Sequence, residues 1–303
     1  MRAFAYERPT SLSDAVALIA THGPQARLLA GGTDLIIRVR DGSIAPEVVV
    51  DLKRIAELDG EIRAGHDPEG REILAIGART VMTDVAADER IRRDHQALAE
   101  GAAVVGSIQI RNRATLAGNV CNASPAADTI PALLVDGAVV VATGSSGTRR
   151  VPLDEFLVRS GVTRLRRDEL VTGVELPRPT TPRGSVHVRR TRRRGHDLAS
   201  VTVACSVGAD GVTRIAYGSL GPRPLLVSDD SGLLADPAAT VDAKRELLET
   251  LFVDASPSPR SMRAGPTYRV AMLQVLGLRA VRTAIERLAE TAGGQGAAVG
   301  TSP

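Results

Sequence analysis

Tryptophan is missing altogether, and aromatic residues make up only 2% of the 303 positions. The core must therefore come from the Ala, Val, Leu and Ile that dominate a hydrophobic fraction of 43%. Cysteine occurs at Cys121 and Cys205, with no C-x-x-C pair and no Cys/His cluster, which argues against a zinc site, an iron–sulfur site or a disulfide framework in this chain. No apolar run reaches the ~18–20 residues of a membrane span. The opening Met1-Arg2-Ala3-Phe4-Ala5-Tyr6-Glu7 has no apolar signal core. These absences lead us to expect a soluble, cytoplasmic protein with no membrane span. Lysine is scarce, and 38 basic residues against 35 acidic ones leave a net charge of only +3, which does not by itself imply a nucleic-acid or membrane partner. The G-x-G-x-x-G and GxxxxGK[ST] fingerprints are absent too, so neither a Rossmann site nor a Walker site is supported.

The length suggests roughly two domains. Thr10 and Ser11 precede a run with Leu12, Val16 and Ile19 on one face, which predicts a capped helix ending at His22-Gly23. Arg27 to Leu29 predicts a short strand, Glu47 to Leu52 a buried strand and Ile73 to Ala78 another. Thr83–Ala87, Ala97–Val105 and Ile130–Leu134 read as helical. Val139–Ala142 and Arg149–Val151 read as strands joined by the turn Gly144-Ser145-Ser146-Gly147. Leu170–Leu176 closes this half as a strand. Pro177, Pro179 and Pro182, with Gly184 behind them, mark the best domain boundary. Beyond it, Ser185–Arg190, Ser200–Val207 and Val212–Tyr217 read as strands, and Val241–Leu251 and Tyr268–Leu288 as helices. The expected organisation is a domain over 1–177, an α+β domain over 184–290, and a Gly/Ala/Ser-rich disordered tail over 291–303.

Two stretches carry the chemistry. In Leu28-Leu29-Ala30-Gly31-Gly32-Thr33-Asp34-Leu35 a strand delivers the chain to two glycines and a helix start. Glycine lets the backbone approach a ligand closely, and successive N–H groups with the Thr33 hydroxyl suit an anion such as a diphosphate. The plain structural alternative is a helix cap at Thr33 or Asp34. Thr115-Leu116-Ala117-Gly118-Asn119 repeats the pattern, with Asp128 following. A carboxylate there suits a ribose diol; the alternative is an Asx-type cap at Asp128.

Together these segments resemble the FAD-binding medium subunit of the molybdenum hydroxylase family. The resemblance extends through Val105-Gly106-Ser107-Ile108-Gln109-Ile110-Arg111-Asn112, Ala123-Ser124-Pro125, Pro131, Asp168-Glu169-Leu170-Val171, Glu175-Leu176-Pro177, Arg193 and Asp197-Leu198-Ala199. It implies a two-lobed FAD-binding domain similar to the vanillyl-alcohol oxidase class, and a C-terminal domain with a three-stranded antiparallel sheet and helices. It implies non-covalent FAD held by residues 28–35, Val105 and 115–119, with Asp128 at the adenosine ribose, Thr172 near the flavin end through its backbone, and Arg189 near the flavin ring. It also implies partners: a large subunit with the molybdenum cofactor and a small subunit with two [2Fe-2S] clusters, in a dimer of heterotrimers. Ala117 replaces the usual first glycine of the second loop. His187 stands where an aromatic Tyr is common, and Arg189 where Lys is common. Gly265 replaces a Ser ahead of Tyr268-Arg269.

The run Arg189, Arg190, Arg192, Arg193 and Arg194 has no interleaved aromatics, which argues against nucleic acid. Strand alternation would turn Arg189 and Arg193 inward and leave the others solvated. None of His22, His66, His95, His187 and His196 lies in a glycine loop or beside a nucleophile, and most are expected at the surface. No catalytic residue and no metal ligand is expected here: FAD would accept electrons from the [2Fe-2S] clusters and pass them to an external acceptor. A stand-alone FAD-dependent oxidase or reductase of similar fold is the alternative, and a flavin-free scaffold a third reading.

Overall fold

A computed structural model describes residues 2–193 and 195–297. The chain divides into two compact units, neither continuous in sequence. The first comprises the chain up to Val85, Ser107–Ser124 and Gly137–Pro177; the second comprises Ala86–Gly106, Pro125–Asp136 and the chain from Arg178 onward.

The first unit contains two sheets. In the smaller, Val48–Asp51 lies between Ala5–Glu7 and Ala26–Leu29 and runs parallel to both. All four of its residues are buried, which fits a Val-rich run in a central parallel strand. Parallel neighbours need a crossover, and helix Leu12–His22 lies between the outer strands in sequence. Ser11 caps it by accepting from the Asp14 N–H, Ala15, Val16 and Ile19 face the core, and Gly23 ends it at φ 50°. The larger sheet is antiparallel, in the order Ile62–His66, Glu72–Gly77, Leu170–Pro177, Val139–Gly144, Gly147–Pro152. Its central strand shifts register between Val171 and Gly173, so Thr172 sits on a bulge.

The second unit is built on an antiparallel sheet in the order Arg183–Arg190, Val201–Gly208, Thr213–Gly218, Leu225–Asp229. It has four strands rather than the expected three. The fourth hydrogen-bonds along Thr213–Gly218, where its partner strand supplies an order that its own short sequence does not reveal. Val201, Val203, Cys205 and Val207 alternate into a core with Leu248 of helix Val241–Leu251 and with Leu273, Leu276, Val281 and Ala284 of the long helix Pro266–Ala297. The intervening Thr202, Ala204 and Ser206 are buried too. Helices Gln96–Ala103 and Thr129–Val135 lie against this sheet. Every residue of Thr129–Val135 is buried, and the Ser219 N–H donates to the Pro125 carbonyl at 2.6 Å. That explains why this segment, which precedes the proline run by some fifty residues, packs with the C-terminal elements. The last helix continues to Ala297; the rest of the expected tail, 298–303, lies outside the described residues. Among the described residues no helix is long and apolar enough to cross a membrane.

Candidate functional site

In the first unit, the sheet delivers Leu28 and Leu29 beside Val50 and Asp51. The chain then turns through Ala30, Gly31, Gly32, Thr33 and Asp34 into helix Leu35–Arg40. Gly31 can be nothing larger: a Cβ there would lie 2.0 Å from the Arg113 carbonyl oxygen. Gly32 has φ +77°, a left-handed conformation that glycine adopts without strain. The alternative of a cap at Asp34 does not form through its side chain. Among the described residues the N–H groups of Gly31, Gly32 and Thr33 have no acceptor in the protein, as is usual where a helix begins.

The second loop meets the first. Thr115 caps helix Leu116–Asn122, its Oγ1 accepting from the Gly118 N–H at 3.1 Å. The Met82 N–H donates to the Ala114 carbonyl and the Leu116 N–H to the Thr80 carbonyl, pinning the loop to the segment before helix Met82–Ala87. Ala117 is 5% exposed, so its extra methyl points into the interior. The Asn119 N–H donates to the Thr115 carbonyl at 3.0 Å. Asn122, which sequence reasoning did not single out, donates from Nδ2 to Asp34 Oδ1 at 3.4 Å and so joins the two loops. Helical spacing, three residues beyond Asn119, was the available signal. Thr172, also in this unit, accepts at its carbonyl from the Ala78 N–H at 3.2 Å, and its Oγ1 donates to the Val141 carbonyl. With Gly77 and Gly173 it lines a cavity of about 190 Å³ on the larger sheet.

Val105, Asp128 and Arg189 belong to the second unit. Val105 follows helix Gln96–Ala103, its N–H donating to the Ala102 carbonyl. Asp128 precedes helix Thr129–Val135 but its side chain makes no cap bond, so the Asx-cap alternative does not describe it. Its Oδ2 instead accepts from Arg189 Nη1 at 2.8 Å. Its Oδ1 is buried without a hydrogen bond and lies 3.5 Å from His187 Nε2. That imidazole nitrogen is 2.9 Å from Thr202 Oγ1. The His187 N–H donates to Glu100 Oε2 at 2.8 Å, and Arg287 pairs with the other oxygen of Glu100. Sequence reasoning missed Glu100 and Thr202; only the strand register places Thr202 beside the Arg189–His187 stretch.

The ion pair couples two roles that the resemblance assigned separately. Arg189 engages Oδ2 of the carboxylate and leaves Oδ1 to other partners. The rest of the cationic run differs from expectation. The strand ends at Arg190, whose Nε donates to the Tyr268 hydroxyl. Arg193 is exposed rather than turned inward, because it lies past the strand in a turn closed by Asp197. Arg194 lies outside the described residues. Nor are the histidines mostly exposed: His95 and His187 are buried, while His66 and His196 are exposed and His22 is half-buried. His95 Nδ1 lies 3.0 Å from Asp136 Oδ2, and Arg183 Nη2 lies 2.8 Å from Asp136 Oδ1. Burial alone would push the Asp136 carboxyl up; Arg183 and His95 hold it below the usual carboxylate range. Both thiols are free, and burial pushes that of Cys121 up to about 12, which makes it a poor nucleophile.

Each unit thus offers its own ligand chemistry. Free N–H donors on a turn that excludes a Cβ suit a diphosphate. A buried carboxylate oxygen lacking a donor suits a ligand hydroxyl or N–H. Among the described residues no group of His, Cys, Asp and Glu could hold a metal ion.

The family model for the FAD binding domain in molybdopterin dehydrogenase matches residues 2–179, and that for the CO dehydrogenase flavoprotein C-terminal domain matches residues 186–284. The carbon monoxide dehydrogenase medium chain of Hydrogenophaga pseudoflava is 30% identical over 290 residues, covering 94% of this chain and 98% of its own. A putative xanthine dehydrogenase FAD-binding subunit of Escherichia coli (strain K12) is 29% identical over 285 residues, 92% of this chain and 95% of its own. In the solved structure of carbon monoxide dehydrogenase from Hydrogenophaga pseudoflava lacking the Mo-pyranopterin moiety, one chain superposes with a TM-score of 0.86 at 28% identity, covering 94% of this chain and 98% of that one.

Proposed function

Because the chain belongs to the family of FAD-binding domains in molybdopterin dehydrogenases, we propose that it holds FAD and relays electrons within a molybdenum-dependent hydroxylase or dehydrogenase complex. The observation that carries this reading is the contact of the two glycine-bearing loops, where Gly31 packs against the Arg113 carbonyl so closely that no side chain fits. Bound FAD supplies the chemistry, taking up electrons and releasing them to a carrier. The chain's residues supply position. Within residues 28–35 and 115–119, the free N–H groups of Gly31, Gly32 and Thr33 and the hydroxyls of Thr33 and Thr115 would donate to the diphosphate. Asp128, Arg189 and His187 act as one unit, with Asp128 Oδ1 accepting from the cofactor and Arg189 fixing the carboxylate. Val105 and Thr172 contribute backbone contacts. No side chain is needed as a general acid or base.

The reading extends to partners. A large subunit with the molybdenum cofactor would oxidise the substrate, and a small subunit with two [2Fe-2S] clusters would pass electrons to this chain, in a dimer of heterotrimers in the cytoplasm. The two lobes of the FAD-binding part would follow the vanillyl-alcohol oxidase class. Relatives named for carbon monoxide and for xanthine are about equally similar to this chain, 30% and 29% identical, which suits a subunit that does not read the substrate.

Titration of the purified chain with FAD, followed by quenching of flavin fluorescence, tests the site. Wild type is expected to bind one FAD per chain, and Gly31→Ala to weaken binding at least tenfold while its far-ultraviolet spectrum stays unchanged. Equal binding by a folded Gly31→Ala would contradict the assignment of this loop.

A further inference from the structure

Away from the glycine loops and the Asp128 cluster, the second unit contains a groove of about 350 Å³ between helix Val241–Leu251 and helix Pro266–Ala297. Val241, Leu278 and Ile285 give it an apolar lining, and Lys244, Arg279 and Arg282 bring three cations to it. Helix Val241–Leu251 buries only two residues, Lys244 and Leu248. They are four apart and so share the face that an amphipathic helix normally gives to apolar groups. Leu248 joins the core; Lys244, one turn before it, lines the groove.

Lys244 is 8% exposed, and among the described residues its side chain makes no hydrogen bond and no ion pair. Burial draws its pKa below the usual lysine range, with Asp236 opposing from a distance. Arg279 likewise has no ion pair among the described residues. Glu286 reaches Arg282 only at 3.6 Å, with both side chains largely exposed; such pairs contribute little. The stem of Lys244 is covered while its ammonium stays accessible from the groove, free to pair with an anion that enters it.

We propose that this groove binds a small amphipathic anion, with an aryl or medium-chain acyl body against Val241, Leu278 and Ile285 and a carboxylate or sulfonate paired with Lys244. Arg279 and Arg282 add to the positive field that attracts it. The volume falls within the ~300–1,000 Å³ of small-ligand pockets, which favours a small molecule over a protein segment. The groove shares no lining residue with the glycine loops or the Asp128 cluster.

The test is calorimetric titration of the full chain with 8-anilinonaphthalene-1-sulfonate, wild type beside Lys244→Met and Arg282→Gln. Wild type is expected to show one site per chain. Lys244→Met should weaken it at least tenfold and Arg282→Gln about threefold, and decanoate should displace the probe where acetate at equal concentration does not. No saturable site, equal binding by Lys244→Met, or displacement by acetate as effective as by decanoate would each overturn the proposal. Lys244→Met removes the charge at nearly constant volume and is expected to fold. Should it fail to fold, Arg282→Gln at an exposed side chain decides alone, and unchanged binding there overturns the proposal.

Discussion

Asp128 and Arg189 are 91% and 82% covered at the side chain, so their pairing should register in stability as well as in FAD binding. Asp128→Asn leaves the guanidinium without its charge partner. It is expected to destabilise the chain by roughly 2–3 kcal/mol, below the range for a fully buried pair because Arg189 keeps some solvent. Urea unfolding of Asp128→Asn, Arg189→Gln and the double variant should show the double costing clearly less than the sum; additive losses would mean the pair does not act as one unit. Asp136 gives a pH signature. Its carboxyl is held low by Arg183 and His95, so the stability it contributes is fully present above the unfolded value of about 4 and is lost as pH falls through the lower folded value. Asp136→Asn should therefore be less stable than wild type at pH 7, with the difference shrinking below about pH 4; a constant difference down to pH 2 would contradict this. Gly31, Gly32, Thr115 and Asp128 were legible as site candidates because each is an unusual residue at a local turn. Asn122, Glu100 and Thr202 were not, because their importance comes from partners 88, 87 and 15 residues away in the chain.

At the scale of elements, the strand Arg183–Arg190 and helix Pro266–Ala297 touch where Gly184 stands. A Cβ there would lie 2.1 Å from the Ala284 carbonyl oxygen and 2.5 Å from the Leu288 nitrogen. Gly184→Ala must push the helix off the sheet and is expected to cost about 1–3 kcal/mol, the range for overpacking. A thermal melt within a degree of wild type would show that the helix yields without loss. Periodicity revealed most elements: Val241–Leu251 forms over the predicted residues, and Ser11 caps the first helix as read. It did not reveal strands such as Ala5–Glu7, all three residues exposed, or Leu225–Asp229, behind Pro222 and Pro224. Such strands owe their order to hydrogen bonds with neighbours rather than to their own pattern.

For the whole molecule, the sequence suggested domains over 1–177 and 184–290; the packing of the chain forms two compact units, each gathering separated stretches. Proline and glycine signal where a chain bends. They do not signal that Thr129–Val135, buried throughout, packs with strands some seventy residues further on. The central claim is that this chain is the FAD-carrying member of a molybdenum-dependent complex. The most direct measurement is mild purification of the tagged chain from its native host, with its visible spectrum, its iron and molybdenum content and its co-purifying subunits recorded together. The account predicts flavin bands with iron–sulfur absorbance, molybdenum and two partner chains. A preparation that stays colourless after addition of FAD, or that carries flavin and turns over substrate alone without metal, would contradict it.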